Sequence, residues 1–307
     1  SSMDSVLSEA KKTLKSCGIE RPGLEVNILL EHCVGCSLEK ILAASKKTLD
    51  NDTKKKFFEL LERRVLGEPL DYVCERSFFY SKEFAISKGV FIPRSDTEVL
   101  VRAVLVEINK EFFSKPVILD MCSGSGCVGL TLAAESECKM VYLADKSAVA
   151  VSCAVKNQKA LGLERKTKMV QSDLFDSLPE IKFEYIVSNP PYVSKAEFEL
   201  LDKSVKDFEP SEALLSPEGG FSHIKKIAKD ARSFLRPGGK VFFEVGASQG
   251  KKVCEILVSL GYDEVELLPD LNKIDRVVVA KWKNSVSYTH LRAHETRHDL
   301  VCRLLLE

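Results

Sequence analysis

From about residue 96 to residue 283, short runs of β-formers alternate with helical runs. Val117-Ile118-Leu119-Asp120, Met140 to Asp145, Lys168 to Gln171, Phe183 to Ser188 and Lys240 to Val245 read as strands. Helices are expected near Val128, through Ala148 to Leu161, from Phe221 to Leu235 and from Val253 to Leu260. Val265 to Leu268 and Arg276 to Trp282 read as a closing pair of strands. Strands separated by helices of roughly ten to fifteen residues imply parallel pairing and a doubly wound α/β sheet. In such a sheet ligands bind at the carboxyl ends of the strands, so strand-end residues are the first candidates for function.

One strand end stands out. Phe183 to Ser188 runs into Asn189-Pro190-Pro191-Tyr192. Two prolines cannot continue a ladder, so the strand stops and leaves Asn189 at its edge. Asparagine offers a carbonyl acceptor and an amide donor. The adjoining peptide adds a second carbonyl, with no N–H at Pro190, and Tyr192 adds a ring. Together they fit a planar group bearing an NH2, such as an amide or an exocyclic base amine. The plainer reading is a proline-rich turn with a capping asparagine.

Upstream, Asp120 closes a strand and is followed by Met121-Cys122-Ser123-Gly124-Ser125-Gly126-Cys127 and a helix. Glycines let a backbone approach a ligand closely, and a helix start supplies free N–H groups. Gly124 to Gly129 also satisfies a loose dinucleotide pattern, so an NAD reading competes here. The next strand ends sharpen the choice. Asp145 can accept from ribose hydroxyls, and Asp173 from an adenine amine. Each aspartate alone could be a helix cap or a loop carboxylate. Acid, glycine turn, acid, acid and Asn-Pro-Pro-Tyr at successive strand ends is the order found in S-adenosylmethionine methyltransferases.

Residues 3 to about 70 carry helical periodicity. Leu7, Ala10, Leu14 and Cys17 form one face and Gly18 stops the helix. Arg21-Pro22-Gly23 opens a second helix with Leu24, Ile28, Leu29 and Cys33 inward. Leu38, Ile41 and Leu42 form a short third, and Asp50 or Asp52 caps a fourth with Phe57, Leu60, Leu61, Val65 and Leu66 inward. Lys54-Lys55-Lys56 and Arg63-Arg64 read as a solvated face, with a partner surface as the alternative. From 71 to 92 the period switches to two, with Phe78-Phe79-Tyr80 and Phe84-Ala85-Ile86 flanking Ser81-Lys82-Glu83 as a hairpin. Ser95 or Asp96 is placed to cap the next helix, with Glu98 in a capping box.

Composition excludes several classes. No apolar run approaches 18 residues, so no membrane span is expected. The formal net charge is zero, without the basic excess of a protein that grips phosphates. The ten cysteines are scattered, and only Cys33 and Cys36 have metal-like spacing with no second pair to answer them. Reduced thiols of a cytoplasmic or organellar-matrix protein fit this pattern.

On these motifs the chain resembles the HemK/PrmC family, the release-factor glutamine N5-methyltransferases. The matching stretches are Arg21 to Val26, Arg63 to Tyr72, Phe78-Phe79, Phe91 to Glu98, Asp120 to Gly126, Gln171 to Phe175, Ser188 to Tyr192 and Phe208-Glu209-Pro210. The resemblance implies a Rossmann-like methyltransferase sheet with a small N-terminal helical bundle joined by a β-hairpin linker. The implied boundaries are 1–70 for substrate recognition, 71–95 for the linker and 96–284 for the methyltransferase domain. It implies S-adenosylmethionine as cofactor, held by Asp120, Cys122, Ser123, Gly124, Ser125, Gly126, Asp145, Lys146, Asp173, Leu174 and Asn189, with S-adenosylhomocysteine as product. It implies that Asn189, Pro190, Pro191 and Tyr192 act on the glutamine of the Gly-Gly-Gln loop of a class I release factor, with Arg94 also binding substrate. Asn189 and the Pro190 carbonyl would accept the amide hydrogens while Tyr192 packs on the amide plane. Cys122 stands where relatives often have glycine, Ser95 where they have proline, and Leu174 where some have a tryptophan.

His223 reads as a helix-start residue rather than a base, and Glu244 as structural. No metal is expected, nor stable nucleic-acid binding, and a monomer is expected. The competing readings are a base amino-methyltransferase acting on adenine N6 or guanine N2, and a non-catalytic binding module. Val286 to Thr296 resembles a translated adapter sequence, so 285–307 is expected to be a non-native, disordered or undocked tail.

Overall fold

The computed structural model describes residues 2–44 and 48–283. The chain divides into two compact units: residues up to Arg76 together with Asp202–Phe208, and the remainder. The expected tail, 285–307, lies outside the described residues.

The first unit is helical. Its helices are Met3–Ser16, Pro22–Val34, Leu38–Ala43, Asn51–Val65 and Leu70–Cys74, with Lys203–Phe208 added from far along the chain. Start signals are local: the side chains of Ser2, Ser37 and Asp50 accept from the N–H three residues on, and Pro22 occupies a first-turn position. Val6, Ala10, Leu14, Leu29, Leu30, Phe57 and Leu61 make the core. Leu24, expected inward, is half exposed, because the apolar face of its helix is carried by Val26, Leu29 and Leu30. Residues 71–74, expected to be extended, are helical.

The hairpin of β1 (Arg76–Phe79) and β2 (Lys82–Ala85) comes next, and all of it but Arg76 falls in the second unit. Its turn is Tyr80-Ser81, one position earlier than expected, and both residues have positive φ. That is the twist a two-residue hairpin requires, reached here without the usual glycine signal. A short turn, Ser95–Thr97, precedes the helix Glu98–Asn109 without a side-chain cap. The expected capping box is absent because Glu98 accepts instead from the Tyr80 N–H at 2.9 Å.

Seven strands follow: β3 (Val117–Met121), β4 (Met140–Asp145), β5 (Thr167–Gln171), β6 (Phe183–Ser188), β7 (Leu235–Glu244), β8 (Asp263–Pro269) and β9 (Asp275–Lys281). They form one sheet in the order β5-β4-β3-β6-β7-β9-β8. β3 to β7 are parallel, and β9 runs antiparallel to both its neighbours. β7 starts at Leu235 rather than Lys240, since Gly238 N–H and Gly239 C=O already bond to Trp282 across the sheet. Alternate residues feed cores on opposite faces: Leu119, Met121, Ile186 and Phe243 on one, Ile118, Val187 and Phe242 on the other. Both faces are covered, as a doubly wound sheet requires. Among the described residues no helix is long and apolar enough to cross a membrane.

Candidate active site

The chain enters the sheet at β3, winds outward through β4 and β5, then returns to the other side of β3 at β6. Ligands bind where the winding reverses, beyond the carboxyl ends of the two central strands. A cleft of about 500 Å³ lies there, within the usual range of roughly 300–1,000 Å³ for small-molecule sites. Asp120, Cys122 to Ser125, Asp145, Lys146, Asp173, Leu174, Asn189, Pro191 and Arg94 all line it. Gly126, Pro190 and Tyr192 are not among its lining residues.

One wall is made by the turn after β3. Ser123 N–H bonds to the Ala144 carbonyl at 3.0 Å and Gly126 N–H closes back on Ser123 at 2.8 Å. Cys122 holds φ +63, which explains why a glycine is natural at this position. Asp145 accepts from Gly124 N–H through one oxygen and from Ser147 N–H through the other, both at 2.9 Å. Each oxygen keeps a lone pair, which suits a vicinal pair of hydroxyls. Burial raises the Asp145 carboxyl against these two hydrogen bonds.

Asp120 is buried at the base of this wall and accepts from Gly129 N–H at 2.8 Å. A Cβ at Gly129 would stand 2.7 Å from Leu143 and 2.9 Å from Asp120 Oδ2, so only glycine lets the helix approach that carboxylate. Burial, opposed by the Gly129 bond and assisted by nearby Asp145, pushes the Asp120 carboxyl up to about 7. A buried acid with a single backbone donor is poised to meet a cationic group. Asp173 and Lys146 are solvent-facing and 3.8 Å apart at the rim.

The opposite wall follows β6. Asn189 donates from Nδ2 to Thr97 Oγ1 at 3.4 Å, and Thr97 Oγ1 donates to Glu244 Oε1 at 2.6 Å. Tyr192 Oη donates to the other Glu244 oxygen at 3.0 Å. Among the described residues no donor meets Asn189 Oδ1 or the carbonyl of buried Pro190. Tyr192, whose ring is expected on the substrate's amide plane, is anchored by its hydroxyl to Glu244 and is not among the cleft's lining residues. Burial first, then the Glu244 charge, raises its phenol. Burial likewise raises the Glu244 carboxyl, against the bonds from Thr97 and Tyr192 and the Arg276 charge.

The Tyr192 carbonyl accepts from Gln249 Nε2 at 2.7 Å. Gly220 passes so close that a Cβ there would fall 2.2 Å from the same carbonyl, and its φ is +96. His223 begins the next helix, as expected, with Nδ1 2.7 Å from Ser216 Oγ. Burial lowers its pKa, which keeps the ring neutral near pH 7.

Arg94 does not point an open charge at the cleft. Its guanidinium pairs with both oxygens of buried Glu209, donates to the Ile92 carbonyl at 2.8 Å and lies 4.5 Å from the Phe91 ring centre. Ile92 N–H also bonds to Glu209, so the expected substrate contact is in the first place a clamp on residues 91–94. Thr97 and Glu209 fall inside stretches that carry the family resemblance but had no role assigned, and Gln249 was not signalled by any local pattern. Neither was Asn157, which ties Ser125 of the turn to Ala85 of the hairpin.

A family model described as the PrmC N-terminal domain matches residues 5–74, and the methyltransferase small domain matches 84–222. A release factor glutamine methyltransferase of Clostridium acetobutylicum is 32% identical over 276 residues, covering 89% of this chain and 96% of that protein. The chain belongs to the release factor glutamine methyltransferase family. The Shewanella oneidensis member is 34% identical, covering 86% of this chain and 90% of its own length. A bifunctional methyltransferase of Rickettsia prowazekii is 36% identical over 90% of this chain, and the chain spans 57% of that relative's length. Among solved structures, a methyltransferase from Pyrococcus furiosus aligns over 60% of this chain and 83% of its own at 16% identity, with a TM-score of 0.45.

Proposed function

We infer that this chain transfers a methyl group from S-adenosylmethionine to the side-chain amide nitrogen of the glutamine in the Gly-Gly-Gln motif of a class I peptide chain release factor. The observation that carries this reading is Asn189 Oδ1, an acceptor at the end of β6 on a residue that lines the cleft and that no donor meets among the described residues, with the Pro190 carbonyl taken as the second acceptor beside it. An amide NH2 has two hydrogens and needs two acceptors to be held in one orientation. The membership of the family supports the choice of a protein glutamine over a base amine.

Asp120, the turn from Cys122 to Gly126, Asp145, Lys146, Asp173 and Leu174 hold the cofactor. Asp145 would take its ribose hydroxyls, and Asp120 would offset its positive charge. Bound S-adenosylmethionine supplies a methyl group on a sulfonium, with a neutral thioether as leaving group. The amide nitrogen is a poor nucleophile because its lone pair is delocalised. The residues therefore contribute position and electrostatics: Asn189 and Pro190 fix the amide and aim its nitrogen, with Pro191 lining the cleft beside them. The nitrogen sheds one proton after attack. Glu244 is not its acceptor, since both its oxygens are already bonded to Thr97 and Tyr192. Water takes the proton. Recognition needs the release-factor loop and no nucleic acid, and one copy of the chain suffices.

The test is methyl transfer from labelled S-adenosylmethionine to a purified class I release factor. Label is expected on the factor, and absent both when its Gly-Gly-Gln glutamine is changed to alanine and with the Asn189→Ala enzyme. Label appearing on structured nucleic acid and not on the factor would overturn the reading in favour of a base methyltransferase.

A further inference from the structure

We propose that Thr97 and Glu244 form a hydrogen-bond relay that fixes which way round the Asn189 side-chain amide sits, making both of them positioning residues for the methyl acceptor. The relay rests on the acceptor role given to Asn189 above.

An asparagine amide is nearly symmetric in shape, and only its partners decide which end is oxygen. At Asn189 the decision is made two bonds away. A carboxylate accepts and does not donate, so Glu244 takes the single hydroxyl proton of Thr97 through one oxygen and that of Tyr192 through the other. Thr97 Oγ1 then has only lone pairs left for Asn189. It can be met by Nδ2 and not by Oδ1, which is the arrangement found. Oδ1 is thereby left as the acceptor on the cleft side.

With the amide reversed, two oxygens would face each other at Thr97. Asn189 would then present NH2 to a substrate that also presents NH2, and the acceptor pair would be broken. The relay is buried, with Thr97 2% and Glu244 3% exposed, so water does not readily substitute for a lost member. Its parts come from three places: the turn before the helix Glu98–Asn109, the end of β6 and the end of β7. The charged groups around Glu244 are Arg276 of β9 and Asp96 of the turn. Arg276 is itself shared between Asp96 at 3.9 Å and Asp270 at 3.4 Å, so it does not bond Glu244 in place of Thr97. A carboxylate whose two oxygens both hold residues of the acceptor wall has more than a packing role.

The experiment compares Thr97→Val, which keeps the shape and removes the hydroxyl, with Thr97→Ser, which keeps the hydroxyl, and with Glu244→Gln. For Thr97→Val, kcat on the release factor is expected to fall about 100-fold, the loss that slight misplacement of reacting groups brings, with S-adenosylmethionine affinity held within about twofold. Thr97→Ser is expected to recover kcat to within about threefold of the parent, since one methyl is lost and the proton path is kept. Glu244→Gln offers one acceptor and one donor end, so it can take the hydroxyl proton of Thr97 or of Tyr192 but not of both, and is expected to lose kcat by about tenfold or more.

A second readout does not depend on turnover. With ¹⁵N-asparagine labelling, the Asn189 NH2 signals, identified by their loss in Asn189→Ala, are expected to exchange slowly with water in the parent and in Thr97→Ser. They are expected to shift and exchange faster in Thr97→Val and Glu244→Gln. Unchanged kcat in Thr97→Val, or Asn189 NH2 signals that ignore both substitutions, overturns the relay. If the unaltered enzyme labels no Gly-Gly-Gln substrate, the reaction assigned above fails, and the NMR signals alone still decide the relay.

Discussion

The two walls of the cleft are built by different means. The cofactor wall is a local construction: Cys122 to Gly126 bond among themselves and to the neighbouring strand, and Asp145 bonds to Ser147 two residues on. The acceptor wall is assembled from afar. Thr97 and Glu244 are 147 positions apart, Asn189 and Thr97 are 92 apart, and Arg94 and Glu209 are 115 apart. A wall made of backbone turns tolerates side-chain change, provided the conformation survives. A wall made of side-chain relays depends on each hydroxyl and carboxylate, because a buried polar group left without its partner costs about 1–3 kcal/mol.

The sharpest break of that contrast is Asn189→Ala. Methyl transfer is expected to fall by about 100-fold or more while S-adenosylmethionine still binds, because one of two acceptors for the amide is lost and the cofactor turn is untouched. Rates with labelled cofactor and binding by calorimetry check both halves. A fall in cofactor affinity as large as the fall in rate would show that the walls are not separable.

Gly220→Ala tests the acceptor wall through its backbone. The added carbon would lie 2.2 Å from the Tyr192 carbonyl at φ +96. Stability is expected to drop by about 3 kcal/mol, the upper range for overpacking combined with backbone strain. A shift in the urea midpoint measures it. Asp145→Asn tests the cofactor wall. An amide can accept from one of Gly124 and Ser147 but not from both, so cofactor affinity is expected to weaken by about tenfold, one hydrogen bond's worth. The rate at saturating cofactor should stay near that of the parent.

A further contrast is a pH dependence. The folded pKa of Asp120, about 7, lies above its unfolded value near 3.9. The unfolded chain therefore releases this proton first, and the contribution of Asp120 to stability declines as pH rises from about 4 to about 7. Binding of the cationic cofactor favours the ionised form, so affinity is expected to rise with pH through about 7. Titrations of the parent and of Asp120→Asn, in which the step near pH 7 should vanish, measure it.

Much of the candidate site is legible in the sequence. Asp120, Asp145 and Asn189 are legible because each lies at or within one residue of a strand end, and strand ends are visible as a change of period or a pair of prolines. The hairpin was visible but its turn was misplaced, since Tyr80 and Ser81 take positive φ without a glycine to announce it. Tyr192 was assigned to the substrate because an aromatic ring follows two prolines. Its hydroxyl proved to belong to Glu244, which reads in the sequence only as the end of a strand. Arg94 is assigned to the substrate by the resemblance, and its pairing with buried Glu209 is not visible locally because Glu209 lies in another segment.

The sequence by itself determined the alternation of strand and helix, the parallel sheet, the glycine turn after β3 and the stop after β6. These follow from local sterics and from apolar periodicity, which each segment carries within a few turns of chain. Only the tertiary structure decided which hydroxyl meets which carboxylate, and hence which end of the Asn189 amide faces the cleft. Hydrogen bonds between distant segments depend on strand register and on the depth of burial, and neither is written in the residues that make the bond.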